Sequence, residues 1–266
     1  MADVLVLCYH AVSERWPAAL SVTPAALDRQ LGELVERGYR GAGFTEGITE
    51  PRATPTVVVT FDDAYRSVLT LAKPILDRHG LVGTLYVPTD WPDDPRPMRW
   101  PGIDRWLGTP HEPELGALAW DEIGALADAG WEIGSHTRSH PHLTALDDAT
   151  LARELRESKA RIEAALDHPC RSLAYPYGSV DPRVEQATGE AGYVGAGAIP
   201  RVLYPPRALR WPRTPIFHLD TMPRFRLKVS PSLRRVRESP LVNRLDRARV
   251  ARAGEMSTRS KAGRAP

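Results

Sequence analysis

Short apolar runs alternate along this chain with stretches of helical length, and that alternation constrains the fold more than any other feature. The runs are 3–9 (DVLVLCY), 56–61 (TVVVTF), 82–87 (VGTLYV), 131–136 (WEIGSH), 171–176 (RSLAYP) and 193–198 (YVGAGA). Most lack the apolar/polar alternation of a strand with one wet face, so they read as strands covered on both sides. Between them lie helical segments at 23–38, opening on Thr-Pro and closing at Gly38, at 64–80, interrupted near Pro74, and at 119–130, 147–168 and 180–192. Repeated strand-then-helix units predict a parallel sheet covered by helices. Six or seven strands suffice for a barrel or a wide open sheet, and 266 residues fit one large α/β domain.

In either architecture, functional side chains gather beyond the C-terminal ends of the strands. The unusual polar clusters all fall there: Tyr9-His10 after the first strand, Asp62-Asp63 after the second, SHTRSHPH (135–142) after the strand at 131, and YPYG (175–178) after the strand at 171. Two adjacent carboxylates repel unless a cation holds them ionised, and a divalent metal does this. His136 and His140 add two imidazoles four residues apart. Two His and one Asp make three ligands and leave positions for water and substrate. Imidazole favours zinc, cobalt, nickel or iron over magnesium or calcium. Taken singly, the Asp pair also reads as a cap for the following helix, and an H-x-x-x-H spacing is weak in a chain with eight histidines. Their joint placement on one sheet face favours the metal.

The rest of the chain bounds the setting. The first ten residues lack a basic, then long apolar, leader pattern and read as a strand, and no run approaches the length of a membrane span. Cys8 and Cys170 lie in strand-like segments and are expected as buried free thiols. These features give the expectation of a cytoplasmic protein. The net charge of +2 hides an asymmetry: residues 224–266 carry thirteen Lys or Arg and three Asp or Glu, whereas 1–223 carry 22 and 30. The expected division is therefore a catalytic domain over 1–223 and a basic extension over 224–266. That extension reads either as a solvated tail or as a segment for a partner or an anionic membrane at its inner face. No aromatic interleaving or nucleic-acid motif accompanies the charge, so no nucleic-acid partner is expected. Residues 88–117 form a long loop rich in Pro and Trp, in which Trp91, Trp100 and Trp106 read equally as sugar-stacking platforms or as packing.

Taken together, TFDD (60–63), HTRSH (136–140) and YPYG (175–178) resemble, in order and interval, the leading motifs of the NodB-homology polysaccharide deacetylases, carbohydrate esterase family 4. The resemblance covers about residues 3–218. It implies a distorted (β/α) barrel and metal-dependent removal of acetyl groups from sugars. Carried over by residue, it makes Asp62 the general base and Asp63, His136 and His140 the ligands of one divalent ion, most simply zinc. The backbone amide near Tyr177 would help hold the oxyanion. The third motif departs from the family's commonest Arg-Pro-Pro-Tyr-Gly, with Ala174 and Tyr175 at its start. This variation resembles the branch acting on poly-N-acetylglucosamine, where a Tyr-His after the first strand supplies the acid. LCYHAV (7–12) then makes His10 the candidate acid, and Arg213 a candidate for the missing arginine.

The substrate implied is an acetylated amino-sugar glycan, or a lipid-linked or nucleotide-linked sugar if the enzyme is cytosolic. A small cyclic amide amidase on the same fold and a carbohydrate-binding protein without catalysis are the competing expectations. The complete Asp62, Asp63, His136 and His140 set speaks against the second.

Overall fold

The computed structural model describes residues 3–50, 52–200 and 204–237. In chain order its elements are β1 (Val4–Tyr9), β2 (Ala11–Val12), β3 (Ser21–Val22), α1 (Pro24–Glu36), β4 (Arg40–Gly41), α2 (Phe44–Thr49), β5 (Thr56–Phe61), α3 (Lys73–Arg78), β6 (Gly83–Val87), α4 (Trp120–Asp128), β7 (Glu132–Ser135), α5 (Asp148–Leu166), β8 (Ser172–Ala174), α6 (Pro182–Glu190), β9 (Gly195–Ala198), β10 (Trp211–Pro212), β11 (Thr214–Pro215), α7 (Met222–Val229) and α8 (Pro231–Arg237).

Local chemistry sets the helix ends as expected. Thr23 caps α1 by accepting from the Ala26 amide, with Pro24 in the first turn, and Gly38 follows its end at φ 84°. Asp147 and Asp181 cap α5 and α6 in the same way. The segment after β5 takes a widened π turn over Val68–Ala72 before α3. Pro74, which has no N–H to donate, lies just beyond it.

The main sheet is parallel throughout and runs β10-β9-β8-β7-β6-β5-β1-β11, with β4 paired at the start of β5. Its two edges meet in one stretch of chain. Trp211 and Pro212 pair with β9, while Thr214 and Pro215, two residues on, pair with β1. Residues 211–215 therefore bridge the gap as a kinked seventh strand and close the barrel, with Arg213 at the kink. The result is the expected distorted (β/α) barrel of seven parallel strands.

Strand alternation sorts the side chains. Leu5, Leu7, Tyr9, Val57, Val59, Phe61, Leu85 and Val87 face outward into the shell of helices. Val6, Val58, Tyr86 and Ala174 face inward with Phe44 of α2, forming a smaller cluster inside the barrel. Phe44 and Thr45 tie α2 to the early ends of the strands, through Thr84 Oγ1 (2.9 Å) and the Glu132 carboxylate (2.7 Å). This plug has room because β9 is Gly-Ala-Gly-Ala: a Cβ on Gly195 would lie 2.5 Å from Ile48 of α2. The interior is thus sealed at one mouth and polar at the other.

The division expected after residue 223 falls inside α7, and the structure corrects it. Phe225 and Val229 are fully buried, and Arg226 pairs with Glu33 of α1 at 2.8 Å. Arg234 of α8 reaches the Val4 carbonyl (3.2 Å) and the Asp3 carboxylate. The packed body therefore continues into α8, and of the expected basic extension residues 238–266 lie outside the described residues.

Candidate active site

Inward-facing parity decides which polar groups meet at the open mouth. On β1 and β5 the register sets Tyr9 opposite Phe61, and the Asp62 amide continues the pairing by donating to the Tyr9 carbonyl (3.0 Å). The next positions, His10 and Asp62, lie side by side, and His10 Nε2 stands 4.0 Å from Asp62 Oδ2. His136 follows β7 on the same parity, one step beyond Ser135. Asp62, Asp63, His136 and His140 are all buried, and His10 is half-buried.

Several backbones at this mouth take left-handed angles without being glycine: Asp63 (71°), Ala64 (53°), Thr137 (66°), His140 (63°) and Tyr177 (59°). Such positions are strained and persist only where surrounding contacts fix them. Glu154 of α5 supplies one such clamp. Its carboxylate accepts from the backbone amides of Arg138 (2.9 Å) and Ser139 (3.0 Å) and from the Ser139 hydroxyl (2.7 Å), holding the loop between the two histidines. The sequence reading passed over Glu154, although its place on the buried stripe Leu151, Leu155, Ser158 and Ile162 marks it as a carboxylate with a partner.

The donor set fits a cation. Asp63 Oδ1 lies 3.4 Å from both His136 Nε2 and His140 Nε2, and the three ligand atoms are within 4.8 Å of one another. His136 Nδ1 donates to the Ala174 carbonyl at 2.8 Å, which leaves the Nε2 lone pair facing Asp63. Asp63 Oδ1 is buried and has no hydrogen-bond partner among the described residues. Imidazole lone pairs and a buried carboxylate oxygen aimed at one point require a shared positive charge. Burial pushes the Asp63 carboxyl up, but His136 and His140 overcome it and hold it well below its ordinary value. Burial lowers His136, yet Asp62 and Asp63 raise it overall, whereas for His140 burial dominates and lowers it.

Asp62 has different company. Arg213, itself buried, donates from Nη1 to Oδ1 (2.6 Å) and from Nη2 to Oδ2 (2.8 Å), and Nη1 also reaches Thr60 Oγ1 (3.1 Å). Burial raises the Asp62 carboxyl, and Arg213 and His136 more than reverse this, bringing it to about 2. Gly197 makes the arrangement possible, because a Cβ there would sit 2.6 Å from Arg213 Cδ. Below Asp62, Cys8 Sγ approaches Oδ2 at 3.4 Å. Cys8 and Cys170 are both free and buried, as expected.

Aromatic rings wall the mouth. Trp100 stacks on His140 (4.3 Å, 19°), and Tyr177 meets His140 edge-on (4.7 Å) and stacks on His142 (3.8 Å). Trp91 packs edge-on against Trp100, and Trp106 against Trp16. Packing is therefore the role seen for Trp91, Trp100 and Trp106, and Tyr177, 38% exposed, is the ring offered to solvent.

Fold and site together define a class: a (β/α) barrel that mounts a His-His-Asp cation-ligand set and a separate, arginine-held carboxylate at its strand ends. The family profile described as polysaccharide deacetylase matches residues 49–196, more than half of the chain. The chain belongs to the polysaccharide deacetylase family. It is similar to YxkH of Bacillus subtilis (strain 168), a protein named for the same family, with 23% identity over 197 residues. That match covers 72% of this chain, and the chain spans 63% of the length of YxkH. Among solved structures, BC0361, a polysaccharide deacetylase from Bacillus cereus, superposes with TM-score 0.68 at 25% identity, covering 86% of this chain and 69% of that one. The Streptococcus pyogenes deacetylase PplD, in complex with acetate, shares the fold with TM-score 0.69 at 20% identity, over 86% and 99% of the two chains.

Proposed function

We propose that the protein is a metal-dependent hydrolase that removes N-acetyl groups from an amino-sugar glycan or its precursor. One observation carries this reading: two neighbouring carboxylates on one strand end are held for different tasks, Asp63 by two imidazoles and Asp62 by a guanidinium. Asp63, His136 and His140 would hold one divalent ion, with zinc the best match and cobalt, nickel or iron able to substitute. Such an ion, when bound, lowers the pKa of its water and polarises the acetyl carbonyl.

The remaining work falls to side chains. Asp62, kept ionised by Arg213, accepts the proton of the attacking water. The same two bonds make protonated Asp62 a strong acid, so the proton passes on readily. His10, with Nε2 4.0 Å from Asp62 Oδ2, donates to the departing amine, which leaves poorly without a proton. The backbone N–H at Tyr177 is assigned to the oxyanion, and the exposed Tyr177 ring to a sugar face. A Tyr-His after the first strand and the Ala174-Tyr175 start of the third motif favour poly-N-acetylglucosamine as the glycan class.

No helix among the described residues is long and apolar enough to cross a membrane. We place the enzyme in the cytoplasm or at the inner membrane face, where a lipid-linked or nucleotide-linked acetylated sugar would be its substrate and the basic C-terminal residues would meet anionic lipid. The test is acetate release from N-acetylglucosamine oligomers of both β-1,4 and β-1,6 linkage, with cyclic amides as the competing substrates. Release from sugars alone supports the proposal, and turnover of the cyclic amides alone overturns it.

A further inference from the structure

Among the described residues the active site contains two donor sets, and the reaction proposed above uses a cation in only one of them. Cys8, His10 and Asp62 form the second: Cys8 Sγ and His10 Nε2 stand 3.4 and 4.0 Å from the same Asp62 oxygen, Oδ2, and the three donors lie within 4.8 Å of one another. None of the three belongs to the Asp63, His136 and His140 set.

We propose that Cys8, His10 and Asp62 make an inhibitory position for a second, thiophilic divalent ion such as zinc, and that filling it switches the enzyme off. Tetrahedral zinc, with Zn–S of ~2.3 Å and Zn–O or Zn–N of ~2.0–2.1 Å, places its sulfur and oxygen donors ~3.5 Å apart. The Cys8–Asp62 spacing already matches. His10 must close on Oδ2 by about 0.7 Å to reach the tetrahedral N–O spacing, its distance to Cys8 Sγ lies within 4.8 Å, and it sits between β1 and β2 with its side chain 16% exposed. Arg213 need not leave: Nη2 releases Oδ2 to the ion while Nη1 keeps Oδ1 at 2.6 Å. The thiol proton departs to solvent as the Cys8 sulfur becomes a ligand. A thiolate, an imidazole and a carboxylate select zinc, cobalt or cadmium over magnesium and calcium. The inhibitory consequence rests on the proposed function, because the ion would occupy the groups assigned as base and acid. The site itself rests on geometry alone.

The experiment is a cobalt(II) titration of the metal-free full chain, read by absorption. A thiolate-to-cobalt charge-transfer band in the near ultraviolet is expected with the second equivalent and not with the first. Cys8→Ser should abolish the band. Cys170→Ser should leave it intact, since the Cys170 sulfur contacts the Ser172 carbonyl (3.8 Å) away from the site. In parallel, excess zinc should inhibit acetate release by the wild type, and Cys8→Ser should raise the inhibitory zinc concentration at least about tenfold, or ~1.4 kcal/mol. Cys8→Ala serves the same arms should the serine variant fail to fold. The inference is overturned if no band follows the first equivalent, if the band survives loss of Cys8, or if zinc inhibits wild type and variant alike. A protein that shows the band but releases no acetate retains the second site and refutes the hydrolase.

Discussion

Replacing Arg213 by Met removes the guanidinium while keeping most of the side-chain volume beside Gly197. In the native protein the Asp62 carboxyl is brought from 3.8 to about 2, even though burial pushes it the other way. That net depression alone corresponds to about 2 kcal/mol. The contribution of Arg213 must be larger, because it also offsets the burial of Asp62. Breaking a buried ion pair from one side costs ~3–5 kcal/mol, and this is the loss of stability expected for Arg213→Met in metal-free protein near neutral pH. The pH dependence should also change sign. In wild type a depressed carboxyl gives stability that is present above ~4 and lost as pH falls toward 2. In Arg213→Met, burial acts on Asp62 with its main counter-charge gone, the folded pKa rises above the unfolded one, and the variant should gain stability as pH falls into the carboxylate range. Urea unfolding from pH 7 to pH 3, combined with Asp62→Asn in a double-mutant cycle, measures both. A coupling near zero, or parallel pH profiles for wild type and variant, would show that Arg213 does not hold Asp62 ionised.

Asp62→Asn should keep the affinity for the first equivalent of zinc and lose turnover, whereas Asp63→Asn should lose that affinity, as isothermal titration will show. His10→Ala should suppress amide hydrolysis by ~10²- to 10⁴-fold while sparing an activated acetate ester, whose leaving group hardly needs a proton; equal losses on both substrates would remove His10 from the acid role. Truncation after Pro223 deletes the buried Phe225 and should destabilise by at least the ~3–5 kcal/mol of a Phe→Ala change, in a thermal melt against wild type. Truncation after Arg237 should reduce co-sedimentation with anionic vesicles at low salt, and equal co-sedimentation would remove the basic C-terminal residues from that role.

The barrel was legible because its strands are covered on both faces and its helices carry their caps in sequence. The polar groups at the mouth were legible for a related reason. Strand parity is fixed once the apolar run is placed, so Asp62 and His10 must face inward if Val58 and Val6 do, and His136 if Gly134 does. What escaped the sequence depends on contacts distant along the chain. Arg213 was named as a candidate, but the kinked strand of two short pairings that brings it to Asp62, and the glycine 16 positions earlier that makes room for it, were not readable. The plug α2 is a six-residue helix without a side-chain cap, too short for periodicity to reveal. Trp100 reads equally as a sugar platform or as packing by composition, and its place as a wall for His140 shows only once the long loop folds over the mouth. The basic stretch after residue 223 was read by charge, and charge gave no weight to Phe225 and Val229, which carry the chain back onto α1.

Metal-dependent deacetylation is tested by acetate release from N-acetylglucosamine oligomers by protein stripped with chelator and then given one equivalent of zinc. The stripped protein should release none, one equivalent should restore wild type fully, and His136→Ala should stay inactive at the same zinc concentration. Release from the stripped protein, or equal restoration in His136→Ala, would contradict it.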